Sequence, residues 1–234
     1  MTLRIATLNI RHGGRKYGDA LTARLLSYDA DLLVVTEFRD NDTGAQLISR
    51  LGDAGYETTH PKALPTQNTV LIASRTPIDR ASTFTRDLPT HHLWCAEFAG
   101  VIVCGVCLPQ AHAKLPYWEA LIDRARRSGV DLLIGDFNTG NNDLDKEPKG
   151  TKFIDPEMPG RLIASGYTDV WRSLHPEARE YSWFSRPGGN GFRLDYVYAT
   201  PEFAERVSAC EFDHAPRLAG ETDHSGLVVT LTEG

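Results

Sequence analysis

The chain has little of what would place it in a special class. Four of its 234 residues are cysteine, too few for a disulfide scaffold, and a cytosolic chain keeps them reduced. No apolar stretch is long enough to cross a bilayer. The N-terminus runs straight into a strand pattern instead of a charged and apolar leader, so a cytoplasmic location is expected. Excess positive charge is missing too. The formal net charge of −6 argues against a general polyanion sponge, yet it leaves nucleic acid open because local distribution decides. Cysteine and histidine do not cluster as a zinc cage requires. There is no internal repeat and no low-complexity tract.

What is present is the composition of one ordinary globular domain, 1–234, with 41% hydrophobic residues, enough to bury a large core. Helical spacing runs over Asp19 to Tyr28 and Thr43 to Ala54, with Asp19 and Thr43 as expected N-caps. Strand patterns cover Gly55 to His60, Thr69 to Ser74, Leu93 to Phe98 and Val101 to Leu108, leaving Thr76 to His92 as an irregular connection. The pair Cys104 and Cys107 lies inside such a strand, where the thiols face opposite ways, so both are read as buried structural cysteines. A helix is expected over Leu115 to Arg127 with the buried stripe Trp118, Leu121, Ile122 and Ala125, which makes Trp118 a core residue. Thr139 to Pro159 is too long for a turn and too polar for a core, the kind of loop that carries function.

The chemistry concentrates where apolar runs stop. Val130 to Ile134 reads as a strand buried on both faces, and it ends in Gly135-Asp136-Phe137-Asn138. If the extended geometry persists, Asp136 and Asn138 point to one side. Leu3 to Leu8 ends at Asn9, Asp31 to Thr36 ends at Glu37, Arg193 to Tyr198 carries Asp195, and Asp223-His224 precedes Leu227-Val228-Val229. Polar groups at strand ends converge on one rim of a sheet, where layered α/β proteins bind ligands.

In order and type, Asn9, Glu37, Asp136 with Asn138, Asp195 and Asp223-His224 resemble the endonuclease/exonuclease/phosphatase superfamily. The C-terminal half is most similar to exonuclease III and the abasic-site endonucleases, through Asn142-Asp143-Leu144-Asp145, Tyr181-Ser182-Trp183-Phe184 and Arg193-Leu194-Asp195-Tyr196. The resemblance implies a four-layer α/β sandwich, two packed mixed β-sheets with helices on the outer faces. It also implies roles: Asp136 orients or deprotonates the attacking water, Asn138 binds the scissile phosphate, and His224 contacts a phosphate oxygen while Asp195 holds its imidazole. Glu37 is the first choice as ligand for Mg2+ or Mn2+, with Asn9 and Asp223 completing the shell, because hard oxygen donors suit these ions.

Each residue has a plainer alternative: Glu37 paired with Arg39, Asp195 paired with Arg193, Asn9 as a turn former, His224 as a half-buried structural histidine. Three basic clusters are expected near the rim, namely Arg11, His12, Arg15 and Lys16; Lys146, Lys149 and Lys152; and Arg186 with Arg193. Trp183 and Phe184, beside Arg186, are candidates to stack on a base or enclose a base-free deoxyribose, with at least one of them a core aromatic by strand alternation. Asn142 is assigned to substrate by the resemblance. One departure stands out. Relatives carry a tyrosine or histidine in the strand before the central motif, where this chain has Val106-Cys107-Leu108-Pro109-Gln110, leaving Gln110 or His112 as substitutes.

DNA is the expected substrate, for abasic-site cleavage or 3′ exonuclease action. A phosphodiesterase or phosphatase for an RNA end, nucleotide or lipid headgroup is the enzyme alternative. A non-catalytic nucleic-acid binder is the third reading.

Overall fold

The computed structural model describes residues 2–14, 17–125, 129–186 and 188–232. In chain order the strands are β1 Thr2–Asn9, β2 Leu32–Phe38, β3 Glu57–Thr59, β4 Thr69–Ser74, β5 Arg80–Thr83, β6 Leu93–Phe98, β7 Val101–Cys107, β8 Leu132–Asp136, β9 Thr168–Asp169, β10 Trp183–Phe184, β11 Gly191–Phe192, β12 Asp195–Ala199, β13 Val207–Asp213 and β14 Gly226–Thr232. The helices are α1 Gly18–Ser27, α2 Asp42–Asp53, α3 Leu115–Ala125, α4 Met158–Ala164, α5 Val170–Leu174, α6 Pro201–Ala204 and α7 Ala215–Leu218.

Two six-stranded mixed sheets result, ordered β13-β14-β1-β2-β4-β3 and β5-β6-β7-β8-β12-β9. Their inner faces meet in a core that includes Ile5, Val34 and Val70 from the first sheet and Val103, Ile134 and Val197 from the second. The contact is close at Gly105, where a Cβ would lie 2.4 Å from Val70 Cγ1, so a larger residue there would wedge the sheets apart. Leu21, Leu25, Leu47 and Leu51 of α1 and α2 cover the outer face of the first sheet on Leu33, Val35 and Leu71. Trp118, Leu121 and Leu162 of α3 and α4 cover the second on Cys104, Leu133 and Tyr198. This is the expected four-layer sandwich. Cys104 and Cys107 fall in different layers of the core, on opposite faces of β7. No helix among the described residues is long and apolar enough to cross a membrane.

Several local expectations give way to the structure. Helix α2 is capped by Asn41, whose Oδ1 accepts from Gly44 N at 3.1 Å, and not by Thr43. Asp19 lies inside the first turn of α1, behind a Tyr17 that makes no side-chain capping bond. The stretch read as irregular contains β5, which pairs with β6; it is an edge strand with exposed and half-exposed residues, so it carries no apolar run to betray it. The strand expected from Gly55 shrinks to three residues, and the one expected from Val130 begins at Leu132. Trp118 is fully buried with Leu121 and Ile122, as the stripe requires, while Arg126, Arg127 and the Ala125 side chain lie outside the described residues.

Candidate active site

Topology brings five chain segments to one rim. Strands β1 and β2 are parallel neighbours, with Asn9 opposite Thr36, so Asn9 and Glu37 end together. In the other sheet β12 runs antiparallel to β8, which puts its first residue, Asp195, opposite the last of β8, Asp136. The turn into β14 returns beside β1 and delivers Asp223 and His224. Its Thr222 hydroxyl donates to the Asn9 carbonyl at 2.6 Å, and the Asp195 amide is held by the Ser182 hydroxyl at 3.2 Å.

Asn9 ties the two sheets together. Its Nδ2 donates to Asp136 Oδ2 at 3.0 Å and to Glu37 Oε1 at 3.3 Å, and its Oδ1 accepts from Arg11 N at 2.9 Å. The amide atom facing the carboxylates is thus the donor, and the oxygen faces the Arg11 amide. Asn138 also differs from its expected geometry. Its φ is 51°, not extended. An Asx-type turn results, in which its amide donates to Asp136 Oδ1 at 2.9 Å, and its Nδ2 is engaged by Leu108 O at 2.7 Å. As it stands, Asn138 positions Asp136.

His224 Nδ1 lies 2.8 Å from Asp195 Oδ2, and both residues are buried. Burial alone would lower the histidine pKa, but the charge and hydrogen bond of Asp195 outweigh it, with Asp136 and Asp223 adding, and raise it to about 10. Nδ1 is thereby committed to Asp195, and Nε2–H is left to face a ligand. Burial is the first cause that pushes Asp136 up to about 7, followed by the charge of Asp195; His224 opposes the shift and Glu37 adds to it. Asp195 Oδ1 is buried with no hydrogen-bond partner. Potential ligand atoms of Asp136, Asp195 and His224 lie within 4.8 Å of one another, but a cationic imidazole repels a metal ion, so His224 is a poor ligand.

A surplus of buried carboxylate and an orphaned oxygen suit a divalent cation with oxygen preference. The two raised pKa values have one sign for stability. A group whose folded value exceeds its unfolded one stabilises the fold while protonated. The Asp136 contribution is present below about pH 4 and lost as pH rises through about 7. The His224 contribution is present below about pH 6.5 and lost through about 10. In chelator, the Tm is expected to fall from about pH 5 to about pH 8, and Mn2+ is expected to raise it more at the higher value. Thermal scans at both pH values, with and without Mn2+, check this; an equal Mn2+ effect at both would contradict it.

The remaining candidates divide. Glu37 Oε2 accepts from His12 N at 2.7 Å and lies 3.0 Å from His12 Nδ1. Arg39 instead reaches Asn68 Oδ1 at 2.7 Å and His12 Nδ1 at 3.2 Å, so the Glu37–Arg39 pairing does not form. Asp223 Oδ2 meets Trp183 Nε1 at 3.4 Å and Arg11 Nε at 3.6 Å. Trp183 is half-buried, with its ring 5.8 Å from Phe192, so the two make an apolar wall beside Asp223. Phe184 takes the other face, against Tyr181 and under the Arg217 guanidinium at 4.3 Å. Neither is a fully buried core aromatic.

Asn142 Oδ1 accepts from Phe153 N at 2.8 Å, an internal tie of the long loop. Arg193 is withdrawn from the rim altogether: 1% exposed, it is paired with Asp145 at 2.8 Å and Asp169 at 2.6 Å. The Asp195–Arg193 alternative fails with it. Lys146 is buried on the carbonyls of Glu147 and Pro148. Lys149, Lys152, Arg186 and His12 are exposed and Arg11 is half-exposed, while Arg15 and Lys16 lie outside the described residues.

Gln110 and His112, the expected substitutes at the place opened by Cys107, are both exposed, and His112 lies 3.8 Å from Asp155. The residue sequence reasoning missed is Lys114. It is 3% exposed, and its Nζ donates to the Asn138 carbonyl at 2.6 Å. Burial lowers its pKa against the charges of Asp155 and Asp136. A lone lysine before a helix carries no sequence signal, since only the fold buries it.

The model of the Endonuclease/Exonuclease/phosphatase family matches residues 6–224. The chain belongs to this family. Among relatives of the family, it is 26% identical over 129 residues to an exodeoxyribonuclease of Streptococcus pneumoniae, covering 49% of this chain and 46% of that protein. It spans about half the length of the curated relatives it matches. An AP endonuclease from Archaeoglobus fulgidus has the same fold, with a TM-score of 0.86 and 24% identity over 99% of this chain and 100% of that one. So does a 3′ phosphatase from Neisseria bound to a product DNA hairpin, with a TM-score of 0.86 and 23% identity over 99% and 100%.

Proposed function

We propose that the protein is a divalent-metal-dependent phosphodiester hydrolase acting on DNA, of the exonuclease III type, as an abasic-site endonuclease, a 3′ exonuclease or both. The observation that carries the reading is the Asp136–Asp195–His224 cluster: a buried carboxyl held near neutrality beside an imidazolium fixed by a second carboxylate.

Phosphodiester cleavage needs a nucleophile brought to an anion and a pentacoordinate transition state with added negative charge. Asp136, pushed up to about 7, is matched to accept a proton from water near neutral pH. Asn9 and Asn138 hold its two oxygens. His224, kept protonated, offers Nε2–H to a phosphate oxygen, an interaction that strengthens as charge builds. Glu37 and Asp223 would hold Mg2+ or Mn2+, which supplies charge neutralisation and a lowered pKa for water. Trp183 and Phe192 suit a base-free deoxyribose, and the exposed Lys149, Lys152 and Arg186, with Arg11 and His12, suit flanking phosphates. A cytoplasmic location belongs to the same reading.

The test is cleavage of an end-labelled duplex carrying one abasic site, in Mg2+ or Mn2+ against chelator, beside an undamaged duplex with a recessed 3′ end. Metal-dependent nicking at the lesion, or 3′ trimming, is expected. Inertness toward both, with turnover of a small chromogenic phosphodiester, would move the substrate to an RNA end, nucleotide or headgroup. Binding of DNA without hydrolysis of any substrate would leave only the non-catalytic reading.

A further inference from the structure

Asp136 is aimed by Asn138, and every polar group of Asn138 that does so is itself engaged. Its amide donates to Asp136 Oδ1 at 2.9 Å. Its Nδ2 donates to the Leu108 carbonyl at 2.7 Å and lies 3.3 Å from Asp136 Oδ2. Both oxygens of the carboxyl group thus meet the same residue. Asn138 keeps a left-handed φ of 51°, which asparagine tolerates better than most side chains but which still depends on its surroundings to fix it.

The Asn138 carbonyl is taken by Lys114, whose Nζ donates to it at 2.6 Å, a charge-assisted bond. Lys114 closes the short 3-10 turn Ala111–Lys114 immediately ahead of α3. It stands one helical turn before Trp118, so the two side chains share a face. That face lies on the central motif: the Trp118 ring packs 5.2 Å from Phe137, and Lys114 reaches the next residue along. The connection from Leu108 to Lys114 therefore grips Asn138 twice, by a carbonyl on its side chain and by an ammonium on its main chain. Burying an ammonium to 3% exposure is costly, and an apolar side chain would fill the same space at lower cost.

We propose that Lys114 is a positioning residue: through the Asn138 carbonyl it locks the left-handed turn and so keeps the Asp136 carboxyl group aimed at the attacking water. The inference rests on the reading of Asp136 as the general base of a nuclease.

Steady-state cleavage of the abasic-site or recessed-3′ duplex in Mg2+, whichever the parent chain turns over, tests this beside thermal scans. Lys114→Met keeps the stem and removes the N–H donors. Its kcat should fall about 10- to 100-fold with KM unchanged, while Tm holds or rises because a buried cation is gone. Lys114→Arg restores a charged donor and should return kcat to within about threefold of the parent. Where Tm shows that the guanidinium does not fit, Lys114→Gln, with a neutral N–H donor, takes its place. In an Asp136→Asn background, Lys114→Met should change kcat by less than about twofold, since the group it positions is absent. Unchanged kcat in Lys114→Met overturns the role. So does a joint loss of kcat and Tm that neither donor variant reverses, because packing would then be the cause, and so does a full further loss of kcat in the Asp136→Asn background. Failure of the underlying reading is distinct: a parent chain that cleaves neither duplex, or an Asp136→Asn variant with parental kcat, removes that reading and the proposal with it.

Discussion

Asp136→Asn is expected to lower kcat by about a thousandfold or more, the scale on which a positioned general base acts, with KM little changed. The substitution keeps an acceptor for the Asn138 amide, now 2.9 Å from Asp136 Oδ1, so the Asx turn survives. It removes a carboxyl that burial and Asp195 hold at about 7. Stability in chelator above neutral pH should therefore rise while activity collapses, because an unfavourably buried charge is gone. Steady-state kinetics and a thermal scan at about pH 8 check both halves. A variant that loses activity and Tm together would show Asp136 to be a structural residue.

Arg193→Met should have the largest effect on folding. The guanidinium is 1% exposed, chelates Asp145 and Asp169, and lies between the rings of Trp171 at 5.0 Å and Tyr196 at 4.2 Å. Removing one partner of a buried ion pair leaves the others uncompensated and costs about 3–5 kcal/mol. For a chain of this size that is a fall in Tm on the order of 10 °C. The network matters for the site because it anchors the loop carrying Asp145 to the start of β12, two residues from Asp195. Denaturant unfolding measures the loss. A variant of unchanged stability but weaker, less salt-dependent DNA binding would return Arg193 to the phosphate-binding role that its position beside the aromatic segment suggested.

Arg193 also shows where sequence reasoning stopped. Its charge was legible, but its partners are 24 and 48 residues away, and nothing local distinguishes an arginine on the rim from one sealed beneath it. Lys114 is the converse, a buried group at the site without any motif. Asn138 looked extended because strands usually continue through a run of that pattern, yet the Asp136 side chain, accepting from the Asn138 amide, makes the turn that reverses the direction.

The sequence by itself determined most of the elements and the candidate site residues, and the layers followed from the family resemblance those residues carry. Apolar runs of strand length, amphipathic helices with leucine and tryptophan stripes, and polar residues where the runs stop are local patterns, and hydrophobic burial acts on them in any context. They were enough to name Asp136, Asp195, His224, Glu37 and Asp223. Tertiary structure alone decided what those residues are chemically. The near-neutral Asp136 and the cationic His224 arise from burial and from charges brought together by strands far apart in sequence. The left-handed Glu37 likewise sits at a bulge that only the pairing of β2 with β4 creates. Such electrostatic and steric terms depend on distance in space, which residue order does not contain.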